Sequence, residues 1–154
     1  MECIETIKGR RSVRRFKAQP VGKEMIEELL DAARMAPSAG NLQARDFIVI
    51  SNKITKQKLK EAALGQAFIE QAPLVIVAVA NIERSSRVYK TRGELYAIQD
   101  ATASVENILL SVSELLSIPH KTKPIAIIPV GYADEEPVAP PRMGLDKVVH
   151  WETW

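Results

Sequence analysis

The chain has 154 residues, 46% apolar and 26% charged, with a formal net charge of +2. That length suits a single domain over 1–154, able to bury most of the surface its unfolded chain would expose. So small a positive excess argues against the whole molecule binding a polyanion, and a lone cysteine, Cys3, excludes an internal disulfide or a thiolate zinc cluster.

The N-terminus does not read as a cleavable leader, and no apolar run reaches the ~20 residues that span a bilayer, so a cytoplasmic protein is expected. His120 and His150 have no partner at ligand spacing and read as structural or surface residues.

Ile4 and Ile7 stand at helical spacing and predict a short helix over 2–9, ended by Gly9. Four arginines follow within six residues, Arg10, Arg11, Arg14 and Arg15. Guanidinium forks fit phosphate oxygens, Ser12 adds a short donor, and Val13 and Phe16 could anchor the segment. An organised anion site is the expectation, and a solvated charge run the plainer alternative.

Gln19-Pro20-Val21 breaks the chain. Val21, Met25, Ile26, Leu29, Leu30 and Ala33 then form one apolar stripe, an amphipathic helix stopped by Pro37. The loop Pro37-Ser38-Ala39-Gly40-Asn41-Leu42-Gln43 is small and amide-bearing. Its backbone can approach a ligand closely, with Asn41 and Gln43 offering donors and acceptors. The same residues suit a plain turn, and both readings stay open. Asp46–Ile50 follows as a β-branched strand.

Thr55 is placed to cap a helix running to about Leu64, with Leu59, Ala62 and Ala63 inward and Gly65 ending it. Residues 66–72 read as a brief turn closed by Pro73. Leu74–Ala80 is continuously apolar and predicts a central strand covered on both faces. Residues 81–94, with Arg84, Arg87, Lys90 and Arg92, read as a mobile polar surface loop. The longest element is a helix over about 95–117, with a stripe of Leu95, Ile98, Thr102, Val105, Ile108, Leu109, Val112 and Leu116. Ala97, Ala101, Ala103 and Ser104 flank that stripe and would permit close packing against a second copy. Lys123–Gly131 is a further apolar strand. An acidic, proline-rich arm follows from about residue 133 and reaches an apolar patch at Val148, Val149 and Trp151. Helices and strands mix without strict βαβ alternation, which predicts an α+β fold.

Taken together these stretches resemble the flavin-dependent nitroreductase family. The matching pieces are Arg10–Phe16, Ala36–Gln43, Gly65-Gln66 with the apolar strand after it, Ala97–Asp100 and Glu106–Leu110. Pro124–Tyr132 and Val148–Glu152 complete the ordered set. The resemblance implies a homodimeric α+β fold, a mixed sheet flanked by helices, binding FMN at the subunit interface. Arg10, Arg11, Ser12 and Arg14 would contact phosphate and ring. Pro37, Ser38, Ala39, Asn41 and Gln43 would approach from the partner subunit, with Gln66 nearby. Arg142 would close on the phosphate, and the arm before it would wrap the partner. The flavin would carry hydride from NAD(P)H to a small acceptor such as a nitroaromatic or quinone, with no catalytic side chain required.

Two departures stand out. Ala44 and Arg45 occupy places where many relatives have proline and an aromatic, which puts a cation beside the substrate pocket. Between the long helix and the last strand, Ser113–Leu116 runs almost directly into Ser117-Ile118-Pro119, so roughly two dozen residues are missing against the usual pattern. That loss leaves a flavin- or nucleotide-binding module without turnover as the alternative. A nucleic-acid binder using the arginine cluster is disfavoured by the near-neutral charge and the scarcity of aromatic stacking platforms.

Overall fold

The structure, a computed structural model, describes residues 13–104 and 122–150. The helix expected over 2–9, the Arg10–Ser12 part of the arginine cluster and the second half of the long helix lie outside these residues. Five helices are described: α1 (Lys23–Arg34), α2 (Lys53–Ala62), α3 (Ala67–Gln71), α4 (Ile82–Tyr89) and α5 (Gly93–Thr102). They flank strands β1 (Arg45–Ile50), β2 (Leu74–Asn81) and β3 (Thr122–Val130).

The strands pair in the order β1-β2-β3, antiparallel throughout. The central place of β2 follows from its composition, because an unbroken apolar run can be covered on both faces. Leu74 to Ala80 are all buried. β1 pairs from Arg45↔Ala80 to Ile50↔Val75. β3 pairs from Leu74↔Val130 to Asn81↔Thr122, with a register shift between Ala78 and Val79. Pro124 and Pro129 both lie in β3, which among the described residues pairs with β2 alone; a strand edge tolerates a residue with no N–H to give.

Each face of the sheet has its own core. On one, Ile50, Val75, Val77 and Val79 pack with Leu59 and Ala63 at α2 and Ile69 of α3. On the other, Ala44, Ala80 and Ile125 meet Ala97 and Ala101 of α5. Those alanines let α5 lie close to the sheet. α1 carries the expected stripe but buries none of it fully, with Met25 43% and Leu29 39% exposed.

Several expectations change. The cap of α2 is Asn52 rather than Thr55: the Asn52 amide oxygen accepts the Thr55 N–H at 3.0 Å, so the helix begins earlier. Residues 66–72 hold the short helix α3 instead of a turn. The polar stretch 81–94 is ordered as α4 and a 3-10 turn, Lys90–Arg92, rather than a loop. Asn81 caps α4 by accepting the Arg84 N–H at 2.9 Å, and Ser85, fully buried, stands where an apolar residue would have signalled the helix.

The long helix is described as α5, and its inward face is not the predicted one. Gly93, Ala97, Asp100 and Ala101 are buried, while Leu95 is 54% exposed and Thr102 is exposed. Ala97 and Ala101, expected to flank the stripe, are the core contact, with Ile98 of the stripe packed beside them, while Ala103 is exposed. Close packing recurs where α4 meets α5: a Cβ on Gly93 would fall on the Oγ and Cα of Ser86 and lie 2.6 Å from its nitrogen. Backbone cannot yield as a side chain can. Gly93→Ala is therefore expected to cost about 1–3 kcal/mol, a fall of several degrees in the thermal midpoint. A melting curve that overlays wild type would contradict this contact.

Candidate functional site

The loop from Pro37 to Ala44 leaves α1 and enters β1 through two consecutive left-handed residues, Gly40 and Asn41, both at φ 55°. Gln43 follows at φ 50°. Glycine adopts this region freely and asparagine does so more readily than most residues. Ser38 closes the turn: its carbonyl accepts the Asn41 N–H at 3.0 Å and its Oγ the Gln43 N–H at 3.0 Å.

Buried polar groups hold this loop from behind. The Arg45 side chain, 5% exposed, donates to the carbonyls of Arg34 (2.7 Å), Ala36 (2.5 Å), Pro37 (3.1 Å) and Asp100 (3.4 Å). It thereby caps the C-terminal end of α1, where carbonyls lack helical partners and attract a cation. Asp100, also buried, accepts the Ala39 N–H at 2.9 Å. Arg84 of α4 takes the other leg, donating to the carbonyls of Gln43 (2.5 Å) and Arg45 (3.1 Å) and to Asp46 Oδ1 (2.8 Å). Arg45, expected from its sequence position to put a cation beside a pocket, has its guanidinium engaged by the carbonyls of Arg34, Ala36, Pro37 and Asp100. It is spent on the backbone. With the main chain secured from inside, the Asn41 and Gln43 side chains are exposed.

A second group forms around Arg14. Phe16 bridges Ala133, Lys17 donates its N–H to the Tyr132 carbonyl at 2.9 Å, and Asp134 donates to Arg15 at 3.0 Å. Glu135 accepts the N–H groups of Arg14 (2.5 Å) and Arg15 (2.9 Å). These contacts, the Arg14 N–H foremost, hold the Glu135 carboxyl below its ordinary range. The Arg14 guanidinium carbon lies 6.0 Å from the ring centroid of Phe68, on α3, whose cap residue is Gln66.

Arg14 and Gln66 therefore belong to one group, and Pro37, Ser38, Ala39, Asn41 and Gln43 to another. The two are not together. The loop joins β1 at Arg45, opposite Ala80; Arg14 and α3 lie beyond the other end, where Ile50, Leu74 and Val130 stand. The six residues of β1 separate them, roughly 15–20 Å at strand rise. Arg142 is exposed on the arm, and no hydrogen bond or ion pair among the described residues joins it to either group. Arg10, Arg11 and Ser12 fall outside the described residues.

Neither of two clefts unites the groups. One of about 490 Å³ lies between α1 and β1 and includes Gln43, Arg45 and Arg84. The other, about 340 Å³, is an apolar groove under α1 lined by Leu30, Phe47, Ile76 and Ile128.

A carboxylate whose folded pKa is depressed contributes its stabilisation above its ordinary pKa and loses it as pH falls through the folded value. The Glu135 tie should accordingly hold at neutral pH and release only on acidification below the ordinary glutamate range. Glu135→Ala is expected to loosen the Arg14 segment at pH 7, read as faster amide exchange at Arg14 and Arg15. Unchanged exchange would contradict the tie.

Arg84, Asp100 and Glu135 support these two groups without being marked as supports in the sequence. The one available signal was the spacing of Gly93, Ala97, Asp100 and Ala101, which marks a buried face containing an acid.

A model of the nitroreductase family matches residues 7–71. A protein of Methanothermobacter thermautotrophicus, assigned by name to NADH dehydrogenase/NAD(P)H nitroreductase, is 30% identical over 100% of this chain and 88% of its own length. That alignment runs over 176 positions against 154 residues, so the relative carries at least 22 that are lacking here. The Bacillus subtilis FMN reductase [NAD(P)H] is 25% identical, over 99% of this chain and 74% of its own. Among solved structures, the FMN-dependent nitroreductase of Clostridium difficile superposes with a TM-score of 0.75 at 28% identity, covering 98% of this chain and 99% of that one.

Proposed function

This chain belongs to the nitroreductase family, and on that premise we propose that it is a homodimeric FMN oxidoreductase. It takes hydride from NAD(P)H and passes it through bound flavin to a small acceptor, a nitroaromatic, quinone or similar molecule. FMN, when bound, supplies the redox chemistry; the protein holds and orients it. The residues present fit such a group. Arg14, exposed and with its backbone fixed by Glu135, offers a fork for the phosphate. Asn41 and Gln43 offer amides at the surface of a loop whose backbone needs are already met. Ser38 and Ala39 hold the turn that presents them. Arg10, Arg11 and Ser12 would extend the Arg14 half, with Gln66 beside it and Arg142 reaching in from the arm.

The observation that carries this reading is the separation of the two groups along the sheet. One chain offers half a site at each end, and two chains related by a two-fold axis would complete two sites. The arm supports the same assembly: Val138 is 90% exposed, Leu145 76% and Met143 68%, apolar surface of the kind an interface covers. Among the described residues no helix is long and apolar enough to cross a membrane, and a lone cysteine suits a reducing, cytoplasmic compartment.

The purified chain is expected to be a dimer that binds one FMN per subunit and oxidises NAD(P)H when a quinone or nitroaromatic is added. Failure to bind FMN would overturn the reading. Tight FMN binding without NAD(P)H oxidation would favour a flavin-binding module instead, the outcome to which the shortened chain lends weight.

A further inference from the structure

We propose that α4 is the seat that fixes the height of the flavin-facing loop, with Tyr89 as the stop behind Gly40 and Arg84 as the tether of the far leg. The proposal rests on the reading of that loop as one half of the FMN site. A Cβ placed on Gly40 would stand 2.5 Å from the Tyr89 hydroxyl and 3.5 Å from the ring carbon that bears it. The phenol therefore abuts the loop at its left-handed residue. Tyr89, half-buried, is braced on one side. Tyr96 of α5 meets its ring edge-on, centroids 4.7 Å apart at 85°, and the next residue, Lys90, is held at φ 50° and ψ −121°. A side chain rarely adopts that conformation, and its presence directly after Tyr89 shows surrounding structure overriding local preference. At the other end, Asn81 donates its N–H to the Ala44 carbonyl at 2.9 Å and its side-chain amide to Asp46 at 2.8 Å. Arg84 then holds the Gln43 and Arg45 carbonyls. A helix that merely covered the sheet would need none of these contacts with the loop. Displacements of α4 reach the loop because Asn81 and Arg84 are hydrogen-bonded to residues 43–46 while Tyr89 abuts Gly40.

The test is titration of the flavin-stripped chain with FMN, each variant paired with a thermal midpoint measured without flavin. Asn41→Ala is expected to weaken FMN about tenfold, which checks the underlying reading. Gly40→Ala should weaken it at least as much, through collision with the Tyr89 hydroxyl and the left-handed backbone. Adding Tyr89→Phe removes the colliding oxygen and leaves an ordinary 3.5 Å contact, so the double variant should regain several-fold of the lost affinity. A merely structural defect would instead show the affinity tracking the thermal midpoint. Should Gly40→Ala fail to fold, Tyr89→Ala serves, with an expected loss of about tenfold in FMN affinity and a shift in the visible circular dichroism of bound flavin. If Asn41→Ala and Gly40→Ala both leave affinity unchanged, the loop is not a flavin contact and both readings fall. If they weaken it but Tyr89→Phe restores nothing, or Tyr89→Ala leaves affinity and dichroism unchanged, the seat is overturned while the site stands.

Discussion

Replacing Arg45 with methionine is expected to cost about 3–5 kcal/mol, because it removes a buried cation that donates to four carbonyls, at residues 34, 36, 37 and 100. Methionine keeps much of the stem volume, so packing is a small part of the loss. Against a typical stability of about 5–15 kcal/mol the variant would be marginal at physiological temperature. Denaturant titration reads this directly. Arg45→Lys should fall between the two, since one ammonium cannot bond the spread of carbonyls at residues 34, 36, 37 and 100 that the planar fork reaches. A methionine variant as stable as wild type would show that the loop is held by something else.

The second large effect concerns affinity rather than folding. Arg14→Ala is expected to weaken FMN ten- to a hundredfold, the worth of about 1.5–3 kcal/mol for a charge-assisted contact to phosphate. Its side chain is exposed, and the ties to Glu135 run through backbone N–H groups that alanine keeps. The flavin-free protein should therefore melt within a few degrees of wild type, the Phe68 ring contact being the one interaction lost among the described residues. An unchanged FMN affinity would remove Arg14 from the site.

What could be read in advance follows from the range of the forces involved. β2 was legible because a seven-residue apolar run has few other fates, and α1 because its stripe repeats at helical spacing. α4 was not, since Ser85 and Ser86 occupy places where hydrophobic residues would have set the period. The inward face of α5 was misassigned for a related reason: close approach to the sheet selects Gly93, Ala97 and Ala101 over larger residues such as Leu95. The loop itself was marked by composition and by resemblance. Its supports were invisible, because they reach from Arg45 back to Arg34, from Asp100 to Ala39 and from Glu135 to Arg14. No local spacing rule couples residues so far apart in sequence. The resemblance implies that the loop and Arg14 come from different subunits of one site, and in one chain they stand at opposite ends of the sheet.

Subunit complementation tests that central claim most directly. Arg14→Ala damages one half-site and Asn41→Ala the other, so neither homodimer should bind FMN tightly. Differently tagged copies of the two, refolded together, would give about half mixed dimers. Each mixed dimer would pair the intact Arg14 end of one chain with the intact loop of the other at one of its two sites. Recovery of about a quarter of the wild-type number of tight FMN sites is the predicted result. Mixed dimers confirmed by double-tag purification that bind FMN no better than either parent would contradict a site shared between two chains.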